Sequence, residues 1–402
     1  MGEETSAGVP ARRRYRTAWV AVVLTIQLIA ILSIGLASGP HADEVHYHAT
    51  ILRFADDPSL QTLIAYNEVA APLTFILYGG WGRIFGTDLA TLRLLSVLSA
   101  FTLQVLVYIL LERGTRSSRR AFWLGCVFLL NPYMIGLNVV VYTDVMAMIG
   151  LVALALGVVR GNAWLLLAGS AWGLLSRQYM IFATIAAGLY YLIVWMHGRQ
   201  RSHFNALLAL TASTLPLAAL MLLWGGSAPP NGVLHWLQGE TQAWRPASMV
   251  AYVTLLPIYI LPVVLWRWRA LAGDRSLWLW SLLLAPLYAV APIEASAITR
   301  RLTDYETVGL VHRGIVMLTG DTWSAQGILF AAWVVGAPIV LWIIRDAWRH
   351  RHSTSVVLFL DLAIVVFLAV MPLSFHVWEK YLLPILPIAL CRFGLETVDD
   401  RD

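Results

Sequence analysis

The sequence predicts an all-α integral membrane protein with about twelve transmembrane helices. Apolar residues make up 59% of the 402 residues, charged residues only 13%, and the mean hydropathy is +0.70. A soluble domain ordinarily carries about 25% charged residues, and it exposes no large contiguous apolar surface. Because apolar runs of membrane-spanning length also recur along the whole chain, lipid is the solvent that this composition requires.

Each predicted helix is a run of about 20 mainly apolar residues. We place these helices at residues 18–38, 88–111, 121–138, 143–159, 162–176, 179–197, 204–224, 248–266, 276–292, 323–344, 354–372 and 380–395. The first run follows four arginines, as a signal peptide would, but it is long and lacks a small-residue cleavage site, so we expect it to be retained. The only two cysteines, Cys126 and Cys391, lie inside apolar runs and predict no disulfide framework.

The short, glycine-interrupted stretch 71–86 is ambiguous, and the positive-inside rule decides how we interpret it. If it lies flat at the external interface and the N-terminus is cytoplasmic, most of the 28 basic residues face the cytoplasm. If it crossed the bilayer, the segment ERGTRSSRR and every later basic loop would face outward. We therefore expect an interfacial helix here, cytoplasmic N- and C-termini, and a single transmembrane domain over residues 1–402.

This topology leaves a long first external loop at 39–87, with interfacial helices at about 43–56 and 71–86. Further external loops are expected at 225–247 and 293–322. Long external segments on a compact bundle are where binding and catalysis concentrate. The net charge of +5 comes from short basic clusters between apolar runs, which is typical of topology determinants and argues against nucleic-acid binding.

Two acids, Asp43 and Glu44, directly follow the first helix. They either begin the next helix as capping residues or carry chemistry. His46 and His48 lie two residues apart beside them. Histidines near acids can bind zinc, but no convincing third ligand accompanies this pair, so we predict solvated interfacial side chains and no metal site.

A second group of polar residues lies at the predicted external ends of two helices. Asp144 opens the fourth helix, while Arg177 and Gln178 end the fifth. An arginine between two apolar runs must pair or face water. We expect Asp144 to be its partner, either as a structural salt bridge or as the wall of a polar cavity.

Late in the chain, Lys380 opens the last helix. It could snorkel to lipid headgroups or bind a phosphate. Asp361, inside the eleventh helix, is expected to pair internally or to face a polar seam rather than to take part in chemistry.

Several of these segments, taken in order, resemble the GT-C superfamily of membrane glycosyltransferases. They are DE after the first helix, APLTFILYGGWGRIFGTDLATLRLLS, YTD, RQ and WEKYLLPILP. Within that superfamily, DEVHYH, VYTD and SRQYM are most similar to the dolichyl-phosphate-glucose-dependent α-1,2-glucosyltransferases. The histidine spacing departs from that family, as do Tyr179 and Met180 after RQ.

The resemblance implies a GT-C type fold and an inverting transfer of sugar from a polyprenyl- or dolichyl-phosphate donor to an acceptor hydroxyl on the external face. Asp43 would be the general base, and Glu44 would orient the acceptor or tune Asp43. Donor-phosphate ligands would be Arg177, Lys380 and Arg313. Side chains of the acceptor cavity would be Asp144, Gln178, His46, His48 and His312.

One carboxylate suffices, because a phosphate leaving group needs no acid to protonate it. No cofactor or metal is obligatory for this reaction, and the involvement of a divalent metal is left open. The acceptor would be a glycan, a lipid-linked glycan or a protein. The near-exclusive use of arginine over lysine favours a bacterial plasma membrane over the endoplasmic reticulum.

Two other functional classes stay open from the sequence. A transporter or flippase of lipid-linked glycans would show inverted repeats and broken helices in both halves, and neither is evident. A glycan polymerase or ligase would be favoured by a large late external loop, whereas 293–322 is only of modest length.

Overall fold

The computed structural model describes residues 8–231, 244–295, 300, 306–320, 322–374 and 377–395. Within these ranges all regular secondary structure is helical, and no residue belongs to a β-strand. Packing divides the chain into two compact units: residues 1–180, 211–235 and 394–402 belong to the first, and residues 181–210 and 236–393 to the second. The expectation of one domain stays a prediction.

The first eleven helices run from the N-terminus to residue 224. They are α1 (Gly8–Ile34), α2 (Glu44–Asp56), α3 (Leu60–Ala65), α4 (Leu73–Phe85), α5 (Leu89–Thr115), α6 (Ser118–Leu129), α7 (Pro132–Leu137), α8 (Thr143–Arg160), α9 (Ala163–Ser176), α10 (Ile181–Gly198) and α11 (Arg201–Trp224). A single 3₁₀ turn, Gln178–Met180, joins α9 to α10.

Eight further α-helices follow among the described residues. They are α12 (Pro246–Tyr259), α13 (Leu261–Trp266), α14 (Trp268–Ala272), α15 (Arg275–Val290), α16 (Leu310–Thr319), α17 (Thr322–Arg349), α18 (Val356–Val370) and α19 (Leu386–Gly394). Two 3₁₀ segments, Met371–Leu373 and Glu379–Ile385, lie between the last two.

Seven helical segments among the described residues are long and apolar enough to cross a membrane. They are Ala11–Ile34, Leu89–Thr115, Thr143–Arg160, Gln178–Gly198, Arg201–Trp224, Thr322–Arg349 and Val356–Leu373. The shorter apolar helices are Ala163–Ser176, Pro246–Tyr259, Arg275–Val290 and Leu310–Thr319. The prediction of an all-α, multi-pass membrane protein is confirmed, while the side on which each terminus lies stays a prediction.

Three predicted spans are interrupted. The run 121–138 is divided into α6 and α7 at Asn131, whose side-chain oxygen accepts a hydrogen bond from the Tyr133 N–H while Pro132 opens the second helix. The run 248–266 is broken at Ile260, whose side chain makes no capping hydrogen bond, and Pro262 lies in the first turn of α13. The last predicted helix begins as a 3₁₀ segment that contains Pro384.

Segment 39–87 contains helices at both predicted positions and one more. Helices α2 and α4 match the predicted ranges 43–56 and 71–86, and the short α3 between them was not expected. That the segment is external and that these helices are interfacial stay predictions. Aromatic residues pack the three helices and the end of α11 together: the rings of Tyr66 and Phe75 lie 5.9 Å apart, and those of Tyr66 and Trp224 lie 6.1 Å apart. This packing gives the loop its own apolar core. The other two predicted loops, 225–247 and 293–322, lie partly outside the described residues.

Helices α8 and α9 form a tight antiparallel hairpin because glycines allow their backbones to meet. A Cβ placed on Gly150 would lie 2.4 Å from the backbone nitrogen of Gly173, and one on Gly169 would lie 2.4 Å from that of Leu154. Small residues at such crossings permit the close helix contact on which membrane bundles rely. The hairpin brings the start of α8, with Asp144, beside the end of α9, with Arg177.

Candidate functional site

Glu44 and Arg93 form a closed ion pair in the interior of the first unit. Both side chains are 0% exposed, and the guanidinium holds the carboxylate through Nε to Oε1 (3.0 Å) and Nη2 to Oε2 (2.6 Å). Two backbone N–H groups donate to the same carboxylate, from His41 at 2.9 Å and from Val141 at 2.9 Å. Each carboxylate oxygen therefore accepts two hydrogen bonds.

The remaining donors of Arg93 bind the chain that leaves α1. Its Nη1 and Nη2 donate to the carbonyl oxygens of Gly35 (2.8 Å), Leu36, Ser38 and Gly39 (3.0 Å each) and to the Ser38 hydroxyl (2.8 Å). The pair thus joins the segment after α1, the start of α2, the start of α5 and the residues just before α8. A buried arginine is well suited to holding several chain segments together, because its guanidinium is always charged and presents its N–H donors in a rigid plane.

Asp43 is placed by this cluster. It is half-buried and stands directly before Glu44, at the N-cap position of α2, where its side chain makes no capping hydrogen bond to the helix. The preceding residue, Ala42, adopts a left-handed conformation with φ of 49°. That conformation costs a non-glycine residue about 1–2 kcal/mol, so the surrounding hydrogen bonds must hold the turn in place.

The predicted contact between Arg177 and Asp144 is confirmed. Arg177 Nη2 lies 3.2 Å from Asp144 Oδ2 and donates to the Tyr47 hydroxyl at 3.2 Å. The Tyr179 hydroxyl donates to the other carboxylate oxygen at 3.0 Å. Because Tyr47 lies on α2, one turn after Asp43, this second cluster reaches the helix that carries the Asp43–Glu44 pair.

Gln178 links two loops through hydrogen bonds of its side chain. Its Nε2 donates to the carbonyl oxygen of Val69 at 2.7 Å and to that of Ser227 at 3.1 Å. These contacts hold the segment before α4 and the loop after α11 beside the end of α9.

Glu68 is a third acid of this region that the sequence did not single out. It lies between α3 and α4, half-buried, and its Oε1 accepts a hydrogen bond from the Thr50 hydroxyl at 3.4 Å. Burial raises the pKa of the Glu68 carboxyl, opposed by the charges of His46 and Arg177 and reinforced by Asp43. Four titratable or charged side chains therefore act on one another here.

The two histidines of the loop differ. His48 is half-buried and its Nε2 lies 2.9 Å from the carbonyl oxygen of Thr87, which is a structural contact between α2 and α5. His46 is exposed on the face of α2 that interacts with Glu68.

In the second unit, Glu379 of the WEKYLLPILP segment is the centre of a further polar cluster. The buried Glu379 carboxylate accepts hydrogen bonds from the backbone N–H groups of His312 (2.7 Å) and Val311 (2.8 Å) and from the Tyr259 hydroxyl (2.8 Å). A carboxylate at the start of α16 satisfies N–H groups that the helix leaves open. It thereby fixes the helix that carries His312 and Arg313.

The predicted donor ligands of this unit differ in their surroundings. Lys380 Nζ lies 5.6 Å from the centre of the Trp378 ring, and Arg313 is half-buried on α16. His312 is buried and accepts from the Val308 N–H at 3.3 Å. The roles of Lys380 and Arg313 in phosphate binding, and of His312 in an acceptor cavity, stay predictions.

Sequence reasoning missed Arg93, Glu68, Tyr47 and Tyr179. Arg93 entered the sequence analysis only as one letter of the segment APLTFILYGGWGRIFGTDLATLRLLS. A signal existed, since an arginine five residues into a long apolar helix needs a buried partner. Nothing in the local pattern marks Glu68 or the two tyrosines.

Comparisons with known proteins give a likeness of fold. No protein-family model and no curated protein matches the sequence. The crystal structure of ArnT from Cupriavidus metallidurans bound to undecaprenyl phosphate aligns over 94% of this chain, with a TM-score of 0.52 and 12% identity. The apo structure of ArnT from the same organism aligns over 94% of this chain and 77% of its own, with a TM-score of 0.43 and 13% identity. The chain spans 60% of the length of the undecaprenyl-phosphate-bound ArnT chain, and its fold is of the GT-C type.

Proposed function

We propose that this chain is an inverting glycosyltransferase that moves a sugar from a polyprenyl-phosphate donor to an acceptor hydroxyl on the external side of the membrane. The carrying observation is the contrast between the two adjacent acids: Glu44 is enclosed by Arg93 and two backbone N–H groups, whereas Asp43 is half-buried beside it. The fold shared with an undecaprenyl-phosphate-binding protein supports a lipid-linked donor.

Asp43 is the general base of this proposal. A base must accept a proton, and protonating Glu44 would cost hydrogen bonds to Arg93 that are charge-assisted. Asp43 can accept the acceptor's hydroxyl proton, while the sugar's anomeric carbon passes from the phosphate oxygen to the acceptor oxygen with inversion. The leaving phosphate departs as an anion and needs no proton.

Glu44 is a positioning residue in this mechanism. Its ion pair with Arg93 fixes the first turn of α2 and the left-handed Ala42, so that the Asp43 carboxylate is held in one place. Preorganisation of this kind accounts for a large share of catalytic power, since a misplaced base loses most of its effect.

Arg177 is the proposed donor-phosphate ligand in the first unit. Its guanidinium is oriented by Asp144 and Tyr47, and a fork of N–H donors matches the oxygens of a phosphate. In the first unit, the proposed acceptor-side residues are Asp144, Gln178, His46 and His48. In the second unit, Lys380 and Arg313 are proposed phosphate ligands, and His312 is a proposed acceptor-side residue. An acceptor that is a glycan, a lipid-linked glycan or a protein fits this proposal equally.

The deciding experiment assays the purified chain in liposomes with a panel of polyprenyl-phosphate sugars and of glycan, lipid-linked glycan and protein acceptors, and measures release of polyprenyl phosphate together with the new glycoside. Asp43→Asn should lower turnover at least about a hundredfold, the usual contribution of a general base. The matched control is Asp56→Asn, an exposed acid at the other end of α2, which should keep wild-type turnover. Near-normal turnover of a folded Asp43→Asn variant would refute the base assignment.

The same assay separates an enzyme from a flippase. A transferase consumes the donor without a transmembrane gradient and forms a new glycoside. A flippase would move labelled donor between leaflets and leave it intact, which would overturn the proposed function.

A further inference from the structure

A second polar cluster lies in the second unit, where α17, α18 and α19 meet. Ligand atoms of Asp346, His350 and Asp361 all lie within 4.8 Å of one another. The Asp361 side chain is fully buried, that of Asp346 is 13% exposed, and that of His350 is 38% exposed. The cluster is therefore closed on its inner side and open to solvent at the histidine.

The charges of the cluster are not balanced. Arg392, buried and stacked on Trp342 at 4.3 Å from the ring centre, donates to Asp361 Oδ1 at 2.6 Å and to Asp346 Oδ2. With His350 neutral, as a metal ligand must be, one guanidinium faces two carboxylates, and a negative charge is left over within this group. A buried excess charge is costly unless a further cation compensates for it.

One oxygen of the cluster also lacks a hydrogen bond. Asp361 Oδ2 is buried and finds no hydrogen-bond partner among the residues that the structure describes. A carboxylate oxygen in that position is satisfied either by a bound cation or by a proton on the acid itself.

The histidine completes a ligand set. Asp346 and His350 are four residues apart, which places them on one side of the end of α17. His350 Nδ1 lies 2.9 Å from the backbone carbonyl oxygen of Asp346 and 3.5 Å from Asp346 Oδ2. The tautomer that donates from Nδ1 to the carbonyl leaves Nε2 with a lone pair, and a hydrogen bond of this type usually orients metal-binding histidines. Rotation of the His350 side chain, which is 38% exposed, is then needed to turn Nε2 toward the carboxylates.

We propose that Asp346, His350 and Asp361 bind a divalent transition-metal ion, with Arg392 as a second-shell residue that orients both carboxylates. One imidazole and two carboxylates suit Zn²⁺ and its neighbours better than Mg²⁺ or Ca²⁺, which prefer all-oxygen ligands. Tetrahedral ligands at zinc stand about 3.4 Å apart. Small side-chain rotations would therefore close the present separations. This site is independent of the proposed transfer reaction.

The test measures zinc on the full-length, tag-free protein in detergent. After treatment with a chelator, the protein is dialysed against buffered Zn²⁺ alone, and bound zinc is counted by mass spectrometry. We expect about one ion per chain and a rise in melting temperature that grows with zinc concentration. His350→Gln, which leaves both carboxylates and Arg392 in place, should weaken zinc binding at least about tenfold.

Two further variants make the outcome decisive. His352→Gln changes a neighbouring exposed histidine whose Nδ1 contacts His197 at 2.7 Å, and it should bind zinc like the wild type. Asp361→Asn should lose the zinc, and if that variant fails to fold, His350→Gln alone carries the test. Equal zinc affinity of the wild type and His350→Gln, or no zinc above background in the wild type, would overturn the site and indicate a protonated Asp361.

Discussion

The first unit contains two buried arginine–carboxylate pairs, Arg93–Glu44 and Arg177–Asp144, that are built in different ways. The Arg93 pair is bidentate, 0% exposed, and surrounded by backbone carbonyls that take its other donors. In the Arg177 pair, Nη2 lies 3.2 Å from Asp144 Oδ2 and also donates to the Tyr47 hydroxyl, and the arginine side chain is 10% exposed. A fully enclosed, bidentate pair fixes the chain, whereas an arginine that keeps some exposure is the better candidate for contact with an anionic ligand.

The largest expected effect comes from removing Arg93. Arg93→Met leaves the Glu44 carboxylate buried without its partner, which typically costs about 3–5 kcal/mol. We expect a marked fall in melting temperature in detergent, or loss of folded protein in size-exclusion chromatography. Arg83→Met, on the exposed face of α4, is the control and should change stability by no more than about 0.5 kcal/mol. A stable Arg93→Met protein would remove the distinction between the two pairs.

Compared with the removal of Arg93, the removal of Arg177 should lower stability less and weaken ligand binding more. Arg177→Met removes the 3.2 Å contact to Asp144 and leaves that carboxylate without this donor, so we expect a cost of about 1–3 kcal/mol, within the range for an unsatisfied buried group. Binding of undecaprenyl phosphate, followed by thermal shift, should weaken at least about tenfold. Arg177→Lys should recover only part of this, because an ammonium lacks the planar fork. Unchanged binding in the folded Arg177→Met variant would contradict the phosphate assignment.

Glu68 offers a pH-dependent test of the Arg177 side. Since burial raises its pKa in the folded protein, the folded state binds the proton more tightly than the unfolded state does. Its contribution to stability is therefore most favourable at low pH and decreases as pH rises from the unfolded pKa through the folded one. Glu68→Gln should remove this decrease, so its melting temperature relative to the wild type should rise as pH increases above about 4, the ordinary range of a glutamate.

The control for this pH series is Asp56→Asn, which changes an exposed acid on α2. Its melting temperature relative to the wild type should not follow the same trend. A Glu68→Gln difference that is flat with pH would show that the Glu68 carboxyl titrates alike in both states.

The smallest effect on stability is expected at a third ion pair, Arg345–Asp274, which is partly exposed to solvent. Its side chains are 29% and 30% exposed, and the contact is 2.5 Å. Hydrogen bonds from Ser276, together with Arg345, lower the pKa of Asp274 to about 2. Its stabilisation is present at neutral pH and lost as pH falls from about 4 to 2. Asp274→Asn should cost no more than about 1 kcal/mol at pH 7.

If Asp274→Asn lowered stability several times more than this, burial would not determine how much each pair contributes to stability. Thermal denaturation of Arg93→Met, Arg177→Met and Asp274→Asn under one set of detergent conditions measures the loss of stability at each of the three pairs.

Much of the fold and part of the site could be predicted from the sequence. Membrane residence follows from composition, and helix positions follow from apolar runs, because both depend on neighbours within about 20 residues. The Asp144–Arg177 contact was predictable for the same reason. With almost no loop after α9, an arginine at the end of one apolar helix needs an acid at the same end of the adjacent helix.

Only the tertiary structure decided which acid is enclosed. Glu44 meets Arg93, 49 residues away, and the Val141 N–H, 97 residues away, and nothing local distinguishes it from Asp43. The internal pairing expected for Asp361 is confirmed, but its partner Arg392 and the nearby Asp346 and His350 come from other elements. Hydropathy determines that a segment is buried. The partner of a buried charge depends on how distant segments pack, and the linear pattern does not record that packing.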